Sequence, residues 1–216
     1  MSLLLTGIAV AGGVLLGRLI GSSVLGGKKD RKDAAAGTPE ENKEKPKVEP
    51  KTPVLVLEGF PCCLGDVILR STGDEAWLAG AIVLSEADSP PSLVFFVSPD
   101  AGKDRVVFAR PAPTEELVWL SPVQDDLQIG SEPPSAVEHE GMHFERKRRL
   151  PLRARRHGTG APDVGDSVIF AEYTGLGEER LLVLAGGGRA HAFRGVLLHT
   201  GTYDVLPSGS RTLEES

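Results

Sequence analysis

From Val54 onward the apolar positions come in short runs of four to nine residues, rich in Val, Ile, Leu and Phe. The runs predict strands over Val54–Leu57, Asp66–Arg70, Ala76–Leu84, Leu93–Val97, Arg105–Ala109 and Leu117–Leu120. A second set is predicted over His143–Arg149, Leu152–Arg155, Ser167–Tyr173, Arg180–Ala185, Ala192–His199 and Tyr203–Leu206. Between them lie Ser-Thr-Gly-Asp, Asp-Ser-Pro-Pro, Asp-Ala-Gly-Lys and Gly-Gly-Gly, all of which are turn chemistry. No stretch of this part carries a helical stripe over eleven residues or more. The expectation is an all-β fold, built as one or two small barrel-like or sandwich-like modules.

The first 27 residues follow another pattern. They are apolar and glycine-spaced, with Arg18 as the single charge. A helix crossing the ~30 Å hydrocarbon core needs roughly 20 such residues, and Leu3 to Leu25 is long enough. Arg18 lies past the middle, where its long side chain reaches the interface. The basic cluster Lys28-Lys29-Asp30-Arg31-Lys32 follows and favours the cytoplasmic side. A cleaved signal peptide would carry its basic residues ahead of the apolar core, and here none precede it. The segment therefore predicts a single-pass transmembrane helix with the C-terminal bulk in the cytoplasm. Gly13, Gly17 and Gly21 share one face of that helix. Small residues at that spacing let two helices approach closely, so the face predicts a homo-oligomer.

The 216 residues carry a net charge of −6, which argues against nucleic acid as a partner. Residues 28–52 are charged, proline-bearing and nearly free of large apolar side chains, so they read as a disordered spacer. Beyond them remain about 160 residues, enough for one large or two small domains. The working division is a first β-half over 54–125, a connector from Pro122 to Pro134, a second β-half over 134–207 and a disordered tail over 208–216. The two cysteines, Cys62 and Cys63, are adjacent, which makes neither a disulfide framework nor a zinc ribbon.

The halves echo each other. Gly65-Asp66-Val67-Ile68 opens one strand, and Gly165-Asp166-Ser167-Val168-Ile169 opens another. Gly80-Ala81-Ile82-Val83-Leu84 is matched by Gly195-Val196-Leu197-Leu198. These pairs suggest an internal repeat, although Gly-Asp before a strand is also a common turn exit.

Leu150 to Gly158, Gly160 to Asp166, Ala171-Glu172-Tyr173 and Asp204 to Pro207 form a string. Together with Gly65-Asp66-Val67 and Leu117 to Leu120, it resembles a bacterial family catalogued as domain of unknown function four-one-seven-eight. The resemblance runs from about Leu64 to Pro207. It implies an all-β module with no assigned activity, in a setting of membrane-stress or polyamine functions. Some members have cysteine pairs that look zinc-binding ahead of the module. With Cys62 and Cys63 alone at that place, zinc is not carried over.

Three constellations bear on chemistry. His139-Glu140-Gly141-Met142-His143 has the letters of a zinc hydrolase, with His139 and His143 as ligands and Glu140 activating water. That motif needs a helix with a buried apolar face, and the next turn here would be Glu145-Arg146-Lys147-Arg148-Arg149. The preferred reading is a turn at Glu140-Gly141 and a strand from His143, with no metal or cofactor. Arg146, Lys147, Arg148, Arg149, Arg153, Arg155 and Arg156 concentrate positive charge that could face anionic headgroups. On a strand only alternate residues share a face, so this charge is divided. Gly186-Gly187-Gly188 has no following helix and reads as a hairpin turn, not a phosphate loop. Glu172 and Tyr173 are expected as an inward polar pair meeting Arg153 or Arg155 in a structural network. The reading as a whole is a membrane-anchored, non-enzymatic interaction module with an unidentified protein partner.

Overall fold

The computed structural model describes residues 55–213 apart from 88, 100–103, 125–126 and 128. The anchor expected over 1–27, with the glycine face expected on it, and the spacer expected over 28–52 lie outside the described residues. In chain order the strands are β1 (Leu55–Val56), β2 (Val67–Arg70), β3 (Glu75–Trp77), β4 (Gly80–Ser85), β5 (Leu93–Ser98), β6 (Arg105–Ala109) and β7 (Leu117–Pro122). There follow β8 (Ala136–His139), β9 (Met142–Gly158), β10 (Ser167–Thr174), β11 (Glu179–Gly186), β12 (Arg189–Leu198), β13 (Tyr203–Leu206) and β14 (Thr212–Leu213). No helix occurs among the described residues.

Strands β4 to β7 form one antiparallel meander and β9 to β12 form another. β7 then pairs with β12 and β4 pairs with β9, which closes eight strands into a barrel. Closure removes the free edges that each meander would otherwise expose. The two sequence halves thus supply four strands each to one barrel.

Period-two alternation fills the interior. Ile82, Leu84, Phe95, Phe108, Leu120, Leu152, Phe170, Leu182, Leu184 and Phe193 are buried in one cluster. At its centre Phe95 has ring centroids 5.0 Å from Phe108, 6.1 Å from Phe170 and 5.5 Å from Phe193. A barrel of about eight strands is just wide enough for side chains to fill.

Two outer layers cover the wall. The sheet β13-β2-β3, with the β1–β14 pair, buries Leu57, Ile68, Ala76, Leu78 and Leu213 against Val94, Phe96, Val107 and Leu117. On the second meander, Ile129, Val137 and Phe144 cover Ala171, Tyr173, Leu181 and Val183.

Three expectations are corrected. The single strand predicted over Ala76–Leu84 is two strands in different sheets, with a corner at Leu78–Ala79. Ala79 N–H donates to both Trp77 O and Val97 O there. The corner brings Gly80 so close to Thr159 that a Cβ would lie 2.0 Å from its carbonyl oxygen. Second, the separate strands His143–Arg149 and Leu152–Arg155 are one strand, β9. Pro151 does not break it, because residues 146–152 have β10 as neighbour on one side only, a position that tolerates a missing donor. Third, residues 208–213, read as the start of a disordered tail, are ordered by pairing of Leu55 with Leu213 and Val56 with Thr212. β8 and β14 have no counterpart among the expected strands: β14 is two residues long, and β8, Ala136-Val137-Glu138-His139, holds Val137 as its one large aliphatic side chain.

Candidate functional site

The histidine motif is a hairpin. Glu140 and Gly141 form its two-residue turn with φ of 49° and 74°, as the primed hairpin turns require. His139 pairs with Met142 and Glu138 pairs with His143. Adjacent residues of a strand point to opposite faces, so the two imidazoles diverge. His139 is buried, whereas His143 is exposed with Nδ1 2.5 Å from Glu138. Glu140 is ion-paired with Arg194. The zinc-hydrolase alternative on His139, Glu140 and His143 is therefore corrected: it needs a helix that would put both histidines on one side. Among the described residues no group of three or more His, Cys, Asp or Glu is placed to hold a metal ion.

Of the pair expected to turn inward, Glu172 does and Tyr173 does not, and the partners of Glu172 differ from those expected. Glu172 continues the inward row of Val168 and Phe170 on β10, and it is buried. It meets Arg110 and Arg148, not Arg153 or Arg155. Arg110 Nη2 donates to Glu172 Oε2 at 2.5 Å and Arg110 Nη1 lies 2.8 Å from Glu116 Oε2. Arg148 Nε lies 3.9 Å from the same Glu172 oxygen. The Arg110 guanidinium sits 5.2 Å from the Phe108 ring centroid, so this cluster lies just above the aromatic centre. Tyr173 points outward, donating its hydroxyl to Pro134 O at 2.9 Å. Burial pushes its pKa up, with Arg146 opposing. Arg110 and Glu116 were absent from the sequence-based candidates. Period two from Val106 and Phe108 places Arg110 inward, and that signal was available.

The arginine run is split, as strand geometry demands. A register shift opposite Glu172–Tyr173 leaves Lys147 as an extra residue, and such a bulge re-aims the side chains around it. Arg146 donates to Pro133 O at 2.5 Å. Arg149 holds both carboxylate oxygens of Glu132 at 2.8 Å. Lys147 pairs with Glu145 at 3.2 Å. Arg153 stands opposite Ser85 and Ser167, Arg155 opposite Val83 and Arg156 opposite Ile82. Beside this strand lies an outer-wall groove of about 740 Å³, lined by Ile129, Pro151 and Ile169, with Arg153 and Arg189 also lining it.

The two Gly-Asp pairs do different work. Asp66 is 5% exposed. One carboxylate oxygen accepts from Cys63 N at 2.7 Å, and the other accepts from Ser208 N at 3.0 Å and Gly209 N at 2.9 Å. It fastens the start of β2 to the returning chain. Gly65 packs against this return, 2.9 Å from Gly209 Cα for an added Cβ. Gly165 and Asp166 instead open β10 in the barrel; Asp166 is exposed, and its carbonyl accepts from Ala154 N at 3.0 Å. Both cysteines are free and buried. Burial first, and then the Asp66 charge, push both thiols up from the usual range.

The described surface also carries a tryptophan. Trp77 on β3 is 59% exposed and Leu206 on β13 is 48% exposed. Trp119 lies in the apolar run Leu117–Leu120, whereas Trp77 is two positions from Glu75, and period two places those two side chains on one exposed face.

Compared with protein-family models, with curated proteins and with solved structures, the chain has no match in any of the three.

Proposed function

We propose that this chain is a membrane-held recognition module and not an enzyme. Residues 1–27 serve as a single-pass anchor, residues 28–52 as a spacer, and the barrel works on the cytoplasmic side. The glycine face of Gly13, Gly17 and Gly21 brings two copies together in the membrane. The observation that supports recognition is the filled interior. Phe95, Phe108, Phe170 and Phe193 occupy the barrel centre, and above it Arg110 pairs through Nη1 with Glu116 and through Nη2 with Glu172. The lumen is devoted to packing, so a partner meets the outer wall. That wall offers the groove beside β9 and the exposed face around Trp77. The family resemblance adds an envelope-stress setting.

Fractionation of cells expressing the full chain tests the anchor. The reading expects the protein in membranes after alkaline washing, with the barrel digested by protease in inverted vesicles and protected in intact cells. Recovery of the whole chain in the soluble fraction would overturn it. A photocrosslinking residue at Ile169 tests the outer wall. Discrete adducts are expected there and not from a crosslinker at the interior Leu184; equal yields from both would overturn the assignment.

A further inference from the structure

The sheet β13-β2-β3 turns Ile68, Ala76 and Val205 toward the barrel. Its other face carries two cross-strand rows. One is Leu206–Val67–Trp77 and the other is Asp204–Leu69–Glu75. Strand β3 ends the sheet, and among the described residues no strand pairs with its second side. The direction of its free backbone groups follows from the ladder. Leu78 N–H donates to Asp66 O and Arg70 N–H donates to Asp74 O. Residues 74, 76 and 78 therefore face β2, and the N–H and C=O groups of Glu75 and Trp77 point to the open side.

That side combines three main-chain groups with no backbone partner among the described residues, the N–H and C=O of Glu75 and the N–H of Trp77, with a large exposed indole and an exposed carboxylate; the Trp77 carbonyl already accepts from Ala79 N–H. Among the described residues Glu75 has no cationic partner, whereas neighbouring Asp74 is held by Arg70 at 3.1 Å. Such an edge is a template for strand addition. The negative charge of Glu75, and the −6 of the whole chain, disfavour a second copy and an anionic bilayer, and favour a basic chain.

We propose that β3 captures an extended basic segment of a partner protein as an added antiparallel strand. A cationic residue of the segment lies opposite Glu75, and a β-branched residue two positions earlier lies opposite Trp77. Main-chain bonds to the N–H and C=O of Glu75 and to the N–H of Trp77 supply the register, and the carboxylate selects the sign of the partner. The proposal rests on the recognition reading. It is tested apart from the anchor, because fractionation and peptide binding fail independently.

The probe is the peptide Lys-Thr-Val-Thr-Lys-Thr, titrated onto the full chain in phosphatidylcholine nanodiscs. Trp77 emission is the readout, with Trp119→Phe removing the second indole. Should that variant fail to fold, fluorotryptophan NMR of the unaltered chain replaces it, with Trp77 assigned through Trp77→Phe. The expected result is a saturable blue shift of Trp77. The shift should vanish when the amide of the fifth residue of the peptide, the lysine whose N–H donates to Glu75 O, is N-methylated, and weaken at least several-fold with Glu75→Lys or with Glu replacing the peptide lysines. Absence of saturation, or equal binding by the N-methylated peptide, would overturn strand addition. Equal binding by the Glu peptide would overturn the charge assignment. A blue shift that depends on protein concentration without peptide would assign the edge to a second copy.

Discussion

Replacing Asp66 with alanine removes the acceptor of three N–H groups, those of Cys63, Ser208 and Gly209. A hydrogen bond to a charged acceptor contributes about 1.5–3 kcal/mol, and a buried donor left unsatisfied costs about 1–3 kcal/mol. The Cys63 bond is buried, while those of Ser208 and Gly209 are part-buried, so water replaces some of what is lost there. The sum is therefore discounted to about 3–4 kcal/mol. Urea unfolding of the full chain in a neutral detergent, followed by tryptophan fluorescence, measures it. With a slope of about 2 kcal/mol per molar, the midpoint should fall by about 1.5–2 M. Asp166→Ala is the control, because that carboxylate is exposed; surface changes of this kind stay within about 0.5 kcal/mol. Equal effects of the two substitutions, or a loss below about 1 kcal/mol for Asp66→Ala, would refute the assignment of Asp66 as the fastening point.

Arg110→Met leaves the Glu116 and Glu172 carboxylates without their shared cation, and should cost about 3–5 kcal/mol in the same assay. Adding Glu172→Leu should recover part of that loss, and full additivity would contradict the cluster. Gly195→Ala places a Cβ 1.8 Å from Trp119 O, so the barrel should unfold or shift its β7–β12 pairing, seen as lost dispersion in amide NMR spectra. Cys62, Cys63, Tyr173 and Tyr203 all have pKa values raised by burial. The unfolded chain then loses protons first as pH rises, so this stability is complete at neutral pH and declines above about pH 8.5, where free thiols ionise. Urea midpoints from pH 7 to 10 check the slope, and Cys62→Ala should flatten it. Cys62 should also resist thiol reagents until unfolding.

The strand runs were legible because half-buried strands must alternate, and Arg105–Ala109 and Tyr203–Leu206 were read to the residue. The sheet to which a strand belongs was not legible. Ala76 to Leu84 reads as one apolar run because both sides of the corner are buried, and only the three-dimensional approach of Thr159 to Gly80 separates them. The Gly-Asp echo misled for a related reason. The letters at 65–66 and 165–166 match, but the acceptor role of Asp66 depends on Ser208 and Gly209, about 140 positions away. The run from Gly80 lies in β4, first of its meander, and the run from Gly195 lies in β12, last of the other. The hairpin at Glu140-Gly141 was readable because glycine and a short polar turn outweighed the histidine letters. Arg110 was passed over because a charged residue just past a strand end looks like a loop residue, although its parity placed it inside.

The most direct test of the account is whether the two meanders close on each other, since only closure devotes the lumen to packing. Amide NOEs of the deuterated full chain should connect β4 to β9 across Val83 and Arg155, and β7 to β12 across Leu120 and Gly195, in one sample. Contacts confined to β4–β7 and β9–β12, with none across either seam, would contradict the barrel and the outer-wall recognition built on it.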